Sequence, residues 1–116
     1  MSKERIVKAL EQLGFSKTDT QVYIFLAKNG PHELRDIASA LSLFERKVRR
    51  SLRDLQTQKM IRVSIENPLE FIAIPFEEII NLFIEIKKEK AKAMQESKEE
   101  LLSTWRSIVK KDRSSN

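Results

Sequence analysis

The carboxyl-terminal third of this 116-residue sequence contains no residue that breaks a helix. From Phe76 to about Lys111 there is neither glycine nor proline, and Pro75 stands where a missing N–H costs a helix little. A continuous helix over this segment has about 36 residues and a length of about 54 Å at 1.5 Å per residue. A chain this short cannot bury such a helix against its own core. The segment therefore predicts a long helix that pairs with a partner helix as a coiled coil.

Apolar side chains along this helix predict the seam of a homodimer. The seam is strong at both ends and weak over residues 87–100, which are almost entirely polar. We assign Trp105 to the seam rather than to a surface anchor, because Leu101 and Ile108 lie one turn to either side. The sequence leaves parallel or antiparallel pairing open and predicts a disordered tail over residues 112–116. The predicted dimerisation residues are Ile79, Phe83, Ile86, Met94, Leu101, Trp105 and Ile108.

The first 75 residues predict four helices and a β-hairpin. Apolar residues recur with helical spacing in four segments, and two short runs on either side of residues 66–69 read as strands. Gly14 and Gly30-Pro31 end the first two helices. The expected elements are helices at about 1–13, 16–29, 33–41 and 44–58 and strands at 60–65 and 70–74. The predicted fold is mainly α with a small β-hairpin: a winged helix-turn-helix over residues 1–75, then a long coiled-coil helix over 76–111.

Positive charge is concentrated in one helix of this predicted domain. The whole chain has a formal net charge of +5. Residues 44–62 contain seven basic and two acidic residues, so this segment alone also has a net charge of +5. A helical wheel of the segment at about 44–58 separates an apolar face from a basic one. The residues predicted to face inward are Phe44, Val48, Leu52 and Leu55. The opposite face is an arginine ridge of Arg46, Arg50 and Arg53, with Lys47 and Arg49 beside it.

The arginine ridge predicts an interface with double-stranded DNA. In a helix-turn-helix the second helix enters the major groove, and the planar guanidinium of arginine bonds a guanine edge or a phosphate. We place Lys47, Arg49 and the Arg35 side chain of the preceding helix on phosphates. The alternative is an ordinary solvated helix face. Acidic neighbours are scarce on the ridge, and the repulsion between its like charges favours an anionic partner.

Other classes of function find little support in the sequence. There is no cysteine, and the single His32 has no paired carboxylates near it, so neither a metal site nor a catalytic base is expected. Two glycines are too few for a phosphate-binding loop. We predict no enzyme and no cofactor, and we infer no small-molecule effector from the sequence. Residues 1–13 lack the apolar core of a signal peptide, and no run is long enough to span a membrane. The expected location is cytoplasmic and associated with the nucleoid.

The order of several short motifs resembles the TrmB-like family of archaeal transcription regulators. Leu13-Gly14-Phe15-Ser16 precedes the second helix, Val22-Tyr23 lies within it, and Gly30-Pro31 follows it. Met60-Ile61-x-Val63 then leads into the wing, and Ile74-Pro75-x-Glu77-Glu78 leads into the long helix. The resemblance covers roughly residues 6–94. It implies a DNA-binding winged helix-turn-helix and a dimerisation helix.

Three departures from the family pattern affect what the resemblance implies. Phe44 and Arg49 replace the proline-containing turn and the tyrosine that are usual in the recognition helix, so a different target sequence is expected. The wing contains Glu66 and Glu70 where family wings are often basic, which argues against a minor-groove contact. Larger members carry a carboxyl-terminal sugar-sensing domain. Because this sequence stops at Asn116, we expect no effector site of that kind.

Three functional hypotheses follow. The first is a homodimeric, sequence-specific transcription regulator with its recognition helix, at about 44–58, in the major groove. The second is an architectural chromatin protein that binds DNA without sequence preference. The third is a winged-helix protein–protein adaptor, for which the acidic wing argues. The sequence does not name an operator or distinguish activation from repression.

Overall fold

The computed structural model describes residues 3–66 and 68–114, the last four of these by their backbone alone. The chain divides into two compact units, residues 1–79 and residues 80–116. The first unit contains α1 (Lys3–Gln12), α2 (Lys17–Asn29), α3 (Leu34–Leu41), α4 (Glu45–Thr57), β1 (Ile61–Ser64) and β2 (Glu70–Ala73). Two further helices follow, α5 (Phe76–Glu96), which begins in the first unit, and α6 (Lys98–Ser114). This order confirms the predicted fold class.

Helix α2 is fixed at both ends by hydrogen bonds that its sequence supplies. The Asp19 N–H donates to the Ser16 hydroxyl oxygen at 3.0 Å, and the Ser16 N–H donates to the Asp19 carboxylate at 3.3 Å. This reciprocal capping box satisfies two N–H groups that the first helical turn leaves free. At the other end Gly30 has a φ of +83°, which glycine adopts at no steric cost, and its N–H donates to the Leu26 carbonyl at 2.9 Å.

A tight turn joins α3 to α4 and forms the helix-turn-helix. Ser42 adopts the left-handed conformation, with φ 55° and ψ 44°. The Leu43 N–H reaches back to the Ala38 carbonyl at 3.0 Å, which closes the end of α3. Phe44 is extended and its carbonyl accepts the Val48 N–H at 3.1 Å, so it is the cap that begins α4. The connection therefore has only three residues, numbers 42–44.

The wing is a two-stranded antiparallel hairpin, and one further residue, His32, pairs with its second strand. Strand β1 pairs with β2 in a register that sets Ile61 opposite Ala73 and Val63 opposite Phe71. His32 extends the sheet, because it exchanges both backbone hydrogen bonds with Phe71, at 2.8 and 3.2 Å. The predicted turn at the tip includes Asn67, which lies outside the described residues. The hairpin is thus held to the helical part by main-chain pairing as well as by packing.

One apolar core holds the first unit together. Helices α1, α2, α3 and α4 and strand β1 each contribute at least one side chain that is almost fully buried. The largest buried side chains are Leu10, Val22, Tyr23, Leu26, Ile37, Val48, Leu52, Leu55, Met60 and Ile79. Because α4 packs against both α2 and α3, its position in the domain is set from two sides.

The long helix departs from the prediction of a continuous segment. It is interrupted at Ser97, whose N–H is shared between the Ala93 carbonyl at 3.0 Å and the Met94 carbonyl at 3.2 Å. Such a shared bond tightens the last turn of α5, and serine favours helix ends over helix interiors. Helix α6 then runs to Ser114, beyond the predicted end at about Lys111. Of the tail predicted over 112–116, residues 115 and 116 lie outside the described residues.

Tyr23 joins α2 to the base of α5. Its side chain is 2% exposed, and its hydroxyl donates to the Ile74 carbonyl, just before Pro75. Burial disfavours the phenolate and raises the pKa of Tyr23 from 10.0 to about 12. The unfolded chain ionises this group near pH 10, whereas the folded chain keeps it protonated. The contribution of Tyr23 to stability is therefore complete below pH 10 and falls as the pH rises towards 12.

We expect Tyr23→Phe to remove an alkaline component of unfolding. Between pH 10 and about 12 the wild-type free energy of unfolding should fall by about 1.4 kcal/mol per pH unit through this group. The variant lacks this component, and at pH 7 it is about 1 kcal/mol less stable because the Ile74 carbonyl loses its donor. Urea unfolding of both chains from pH 8 to pH 12 measures the difference. Parallel pH profiles would contradict a buried, protonated Tyr23.

Candidate nucleic-acid interface

Helix α4 presents an apolar face to the core and a basic face to solvent. Its buried side chains are Val48, Ser51, Leu52 and Leu55, which follow the i, i+3, i+4, i+7 spacing of one helix face. All three residues of the arginine ridge are exposed on the other side. At 100° per residue, Arg46, Arg50 and Arg53 lie within about 60° of one another and almost opposite the buried face. The structure therefore gathers the predicted ridge into one continuous surface.

The arginine ridge has no acidic partner within the described part of the chain. No described carboxylate lies within ion-pairing distance of Arg46, Arg50 or Arg53. Glu45 and Asp54 lie on the two flanks of the helix, about 110° and 70° from the centre of the ridge on the helical wheel. The positive field above the ridge is thus not neutralised from within the molecule, which suits a polyanionic partner.

The other predicted basic residues surround the ridge. Lys47 and Arg49 are exposed on opposite flanks of α4. Arg49 and Arg53 line a shallow cleft that Leu34 of α3 and Phe71 of the wing also line. Arg35 is exposed in the first turn of α3. The six predicted cations therefore all lie on the helix-turn-helix, and all are accessible to a ligand.

Phe44 does not face the core, which corrects the prediction from the helical wheel. Its side chain is 84% exposed. The wheel assumed helical backbone at this position, whereas Phe44 is the cap of α4 and has φ −67° and ψ 143°. An extended residue directs its side chain away from the stripe that Val48, Leu52 and Leu55 continue. An apolar ring thus stands free at the beginning of the basic helix.

A buried hydrogen bond that the sequence prediction missed positions α4. The Ser51 hydroxyl donates to the Asp19 carboxylate at 2.6 Å, and both residues are almost fully buried. The Asp19 carboxylate also accepts the Ser16 N–H in the capping box of α2, so one carboxylate joins the first turn of α2 to the middle of α4. The spacing of residues 48, 51, 52 and 55 places Ser51 on the inward face. The sequence prediction left Ser51 out because it selected the inward face by apolar side chains alone.

The predicted dimerisation residues fall into two groups. Ile79 is 1% exposed and belongs to the core of the first unit. It therefore offers no surface to a partner, which corrects its assignment to the seam. The first turn of α5 still packs on the domain, and this accounts for its burial. The remaining residues lie in the second unit and are partly or largely exposed: Phe83, Ile86, Met94, Leu101, Trp105 and Ile108.

The single histidine, His32, has structural partners. The His32 Nδ1 atom lies 2.8 Å from the Gly30 carbonyl oxygen, and the ring packs edge-on against Phe25. Together with its backbone pairing to Phe71, these contacts make His32 a loop residue that anchors the wing.

Across residues 3–66 and 68–114, no three histidine, cysteine or acidic side chains come together as metal ligands. None of the described helices is long and apolar enough to cross a membrane.

Comparison with known families gives a match over the region just described. A family model whose description reads "Sugar-specific transcriptional regulator TrmB" matches residues 10–77. This span begins at the end of α1 and extends through the helix-turn-helix and the wing to the first turn of α5. It includes the arginine ridge and Phe44. No match is found among curated proteins.

Solved structures share the fold at low sequence identity. TrmBL2, whose structure is described as that of an archaeal chromatin protein with a novel mode of DNA binding, superposes with a TM-score of 0.69 at 22% identity. The match covers 88% of this chain and 42% of TrmBL2, so the chain spans less than half of that protein. A possible transcriptional regulator from Methanosarcina mazei gives a TM-score of 0.64 at 18% identity, covering 86% of this chain and 88% of that one. MepR, a transcription regulator of a Staphylococcus aureus multidrug efflux pump, gives 0.55 at 19% identity, covering 98% and 90%.

Proposed function

The chain belongs to the TrmB family of transcriptional regulators, and we propose that it acts as a homodimer that binds specific DNA sequences through α4. The observation that carries this proposal is the arginine ridge, which is exposed, unpaired with any described carboxylate and opposite the buried face of the helix. A helix-turn-helix that presents such a face fits the major groove. The proposal names no sugar effector and no cofactor. It places the protein in the cytoplasm, on the nucleoid.

Within this proposal the basic residues divide into two roles. The ridge arginines face the floor of the groove, where a guanidinium bonds the O6 and N7 atoms of guanine in a bidentate manner. Lys47 and Arg49 on the flanks and Arg35 on α3 face the phosphates that border the groove. Base contacts set the preferred sequence, and phosphate contacts set the affinity and its dependence on salt.

The second unit supports dimer formation. Helices in proteins gain most of their stability from packing of an apolar face, and α6 has no buried side chain among its residues 98–110. Its apolar residues Leu101, Trp105 and Ile108 follow the four-then-three spacing of a coiled-coil seam and are 50–61% exposed in the single chain. A second copy of the same helix buries this stripe. The seam that we propose consists of Phe83, Ile86, Met94, Leu101, Trp105 and Ile108.

A second candidate function is an architectural chromatin protein. It rests on the likeness to TrmBL2, which is described as a chromatin protein and shares the fold over most of this chain. The two functions use the same surface and the same dimer. They differ in whether the ridge arginines discriminate between bases or only neutralise phosphates.

The experiment that tests the proposal is a selection of bound duplexes from a random library at near-physiological salt. We expect a two-fold-symmetric motif, whose half-site spacing reports the geometry of the dimer. Trp105→Glu places a charge in the proposed seam and leaves the DNA-binding unit unchanged. The same selection with this variant should enrich a single half-site.

Each other outcome supports a different function. Bound DNA without an enriched motif would favour the chromatin protein over the sequence-specific regulator. No bound DNA at low salt would remove both and leave a winged-helix adaptor, for which the acidic Glu66 and Glu70 of the wing argue. An unchanged two-fold motif with Trp105→Glu would exclude Trp105 from the dimer seam.

A further inference from the structure

Phe44 is exposed to a degree that packing within the chain does not explain. Its ring is 84% exposed, although it stands between two helices of the folded unit. Of the large exposed apolar side chains of α5 and α6, most belong to the proposed dimer seam: Ile86, Met94, Leu101, Trp105 and Ile108. Phe44 is followed by Glu45, Arg46 and Lys47, which are all charged and exposed. An isolated ring among charged residues does not form an apolar protein–protein surface.

Helix capping does not explain the phenylalanine either. The cap position strongly prefers serine, threonine, aspartate or asparagine, whose side chains accept an N–H of the first turn. The cap of α4 provides no such hydrogen bond. Phenylalanine at this position thus weakens the start of the helix and exposes apolar surface as well. The ring is thus free to contact a ligand.

The position of Phe44 indicates what the ring contacts. It is at the amino-terminal end of α4, and in a helix-turn-helix the amino-terminal residues of the second helix reach the base edges. It precedes Arg46 by two residues and so lies in the same turn as the start of the arginine ridge. The major-groove edges of the bases are polar except for one group, the 5-methyl of thymine. Phenylalanine is among the side chains that contact this methyl.

We propose that Phe44 contacts a thymine methyl group and thereby selects a T·A pair at one position of each half-site. This inference rests on the proposed function, since it requires α4 to lie in the major groove. It adds a specificity determinant that is apolar, whereas the ridge arginines read polar edges. The ring is available for this contact without rearrangement of the folded unit, because it is already exposed.

The test combines a protein variant with a modified base. The probe is the duplex most enriched in the random-library selection, prepared with thymine or with deoxyuridine at each thymine position in turn. Deoxyuridine differs only by the missing methyl group. We expect one position per half-site at which deoxyuridine weakens wild-type binding about fourfold, the ratio for one buried methyl group. With Phe44→Ser this loss should disappear, because the ring that detects the methyl is gone.

Phe44→Ser also separates a binding role from a structural one. Serine is a preferred cap, so the variant should melt about 4–8 °C higher than the wild type while it binds the thymine duplex more weakly. A lower melting temperature together with unchanged affinity would overturn the proposal, since Phe44 would then act in folding. An equal deoxyuridine effect in both chains, or none in the wild type, would overturn it while leaving the proposed function intact. A selection that enriches no duplex would instead contradict sequence-specific binding itself, and the proposal for Phe44 with it.

Discussion

Replacement of Arg46, Arg50 and Arg53 by glutamine is expected to reduce the affinity for the selected duplex by about a hundredfold or more. Loss of a single contact to a base or a phosphate costs about 1–3 kcal/mol. Three such losses on one surface amount to about 3–9 kcal/mol, which is about a hundredfold or more in the dissociation constant. Glutamine retains most of the length of arginine and some hydrogen-bonding capacity, so the change tests the guanidinium groups and not the bulk of the side chains.

Stability and affinity should change in opposite directions in this triple variant. Arg46 and Arg50 are four residues apart, and Arg50 and Arg53 are three apart, so their like charges repel on the helix surface. Each such pair destabilises the helix by a few tenths of a kcal/mol, and the glutamines remove this repulsion. We therefore expect the same or a slightly higher melting temperature. Weak binding by a well-folded protein would place the loss at the interface.

A matched control separates the ridge from overall charge. Lys87, Lys90 and Lys92 are exposed on α5, in the second unit. Their replacement by glutamine removes three positive charges from the formal net charge of +5, as the ridge variant does. Fluorescence anisotropy over a series of salt concentrations compares the two. In the ridge variant the affinity should fall at every salt concentration with little change in the slope of log K against log salt, because the ridge arginines contact bases and the phosphate contacts remain, and the control should change neither quantity. Equal losses in both variants would mean that net charge alone holds the DNA.

The parts of the fold that were predicted correctly depend on local rules. Gly30-Pro31 and the serine at position 16 mark helix boundaries by their own backbone preferences, and the structure has helix ends there. The charge ridge was also predictable, because residues 46, 50 and 53 share a helix face whatever the rest of the chain does. The types of the secondary-structure elements and the basic surface could thus be predicted from residue spacing alone.

The incorrect assignments arise where the backbone changes conformation or where two units meet. The wheel extended α4 by one residue and so turned Phe44 inward, although a cap residue does not share the helical period. Ile79 continues the apolar pattern of α5, but the first turn of that helix is buried in the domain. The Asp19–Ser51 bond joins residues 32 positions apart, and nothing in the sequence near either residue indicates that the two are in contact. Such features depend on tertiary packing, and the periodicity of apolar residues in the sequence gives no information about it.

The Asp19–Ser51 bond leads to the largest expected effect on stability. Asp19 is 5% exposed, and its carboxylate accepts hydrogen bonds from the Ser51 hydroxyl at 2.6 Å and from the Ser16 N–H at 3.3 Å. Asp19→Ala removes both acceptors, and it leaves the Ser51 hydroxyl without its partner inside the domain. Loss of half of the capping box costs about 1 kcal/mol, and an unsatisfied buried donor costs about 1–3 kcal/mol. We expect a decrease of about 3 kcal/mol in the free energy of unfolding, measured in urea.

Ser51→Ala and the double variant determine how much of this loss belongs to the bond between α2 and α4. Ser51→Ala leaves the capping box intact and deprives the buried carboxylate of one donor, so a decrease of about 1–3 kcal/mol is expected. In the double variant both partners of the bond are absent, and the decrease should be smaller than the sum of the two single decreases by about 1 kcal/mol or more. Asp19→Asn is the conservative control, because its amide oxygen still accepts a hydrogen bond. Additive losses in the double variant would show that Asp19 acts only through the capping box of α2 and that the hydroxyl of Ser51 does not hold α4 in place.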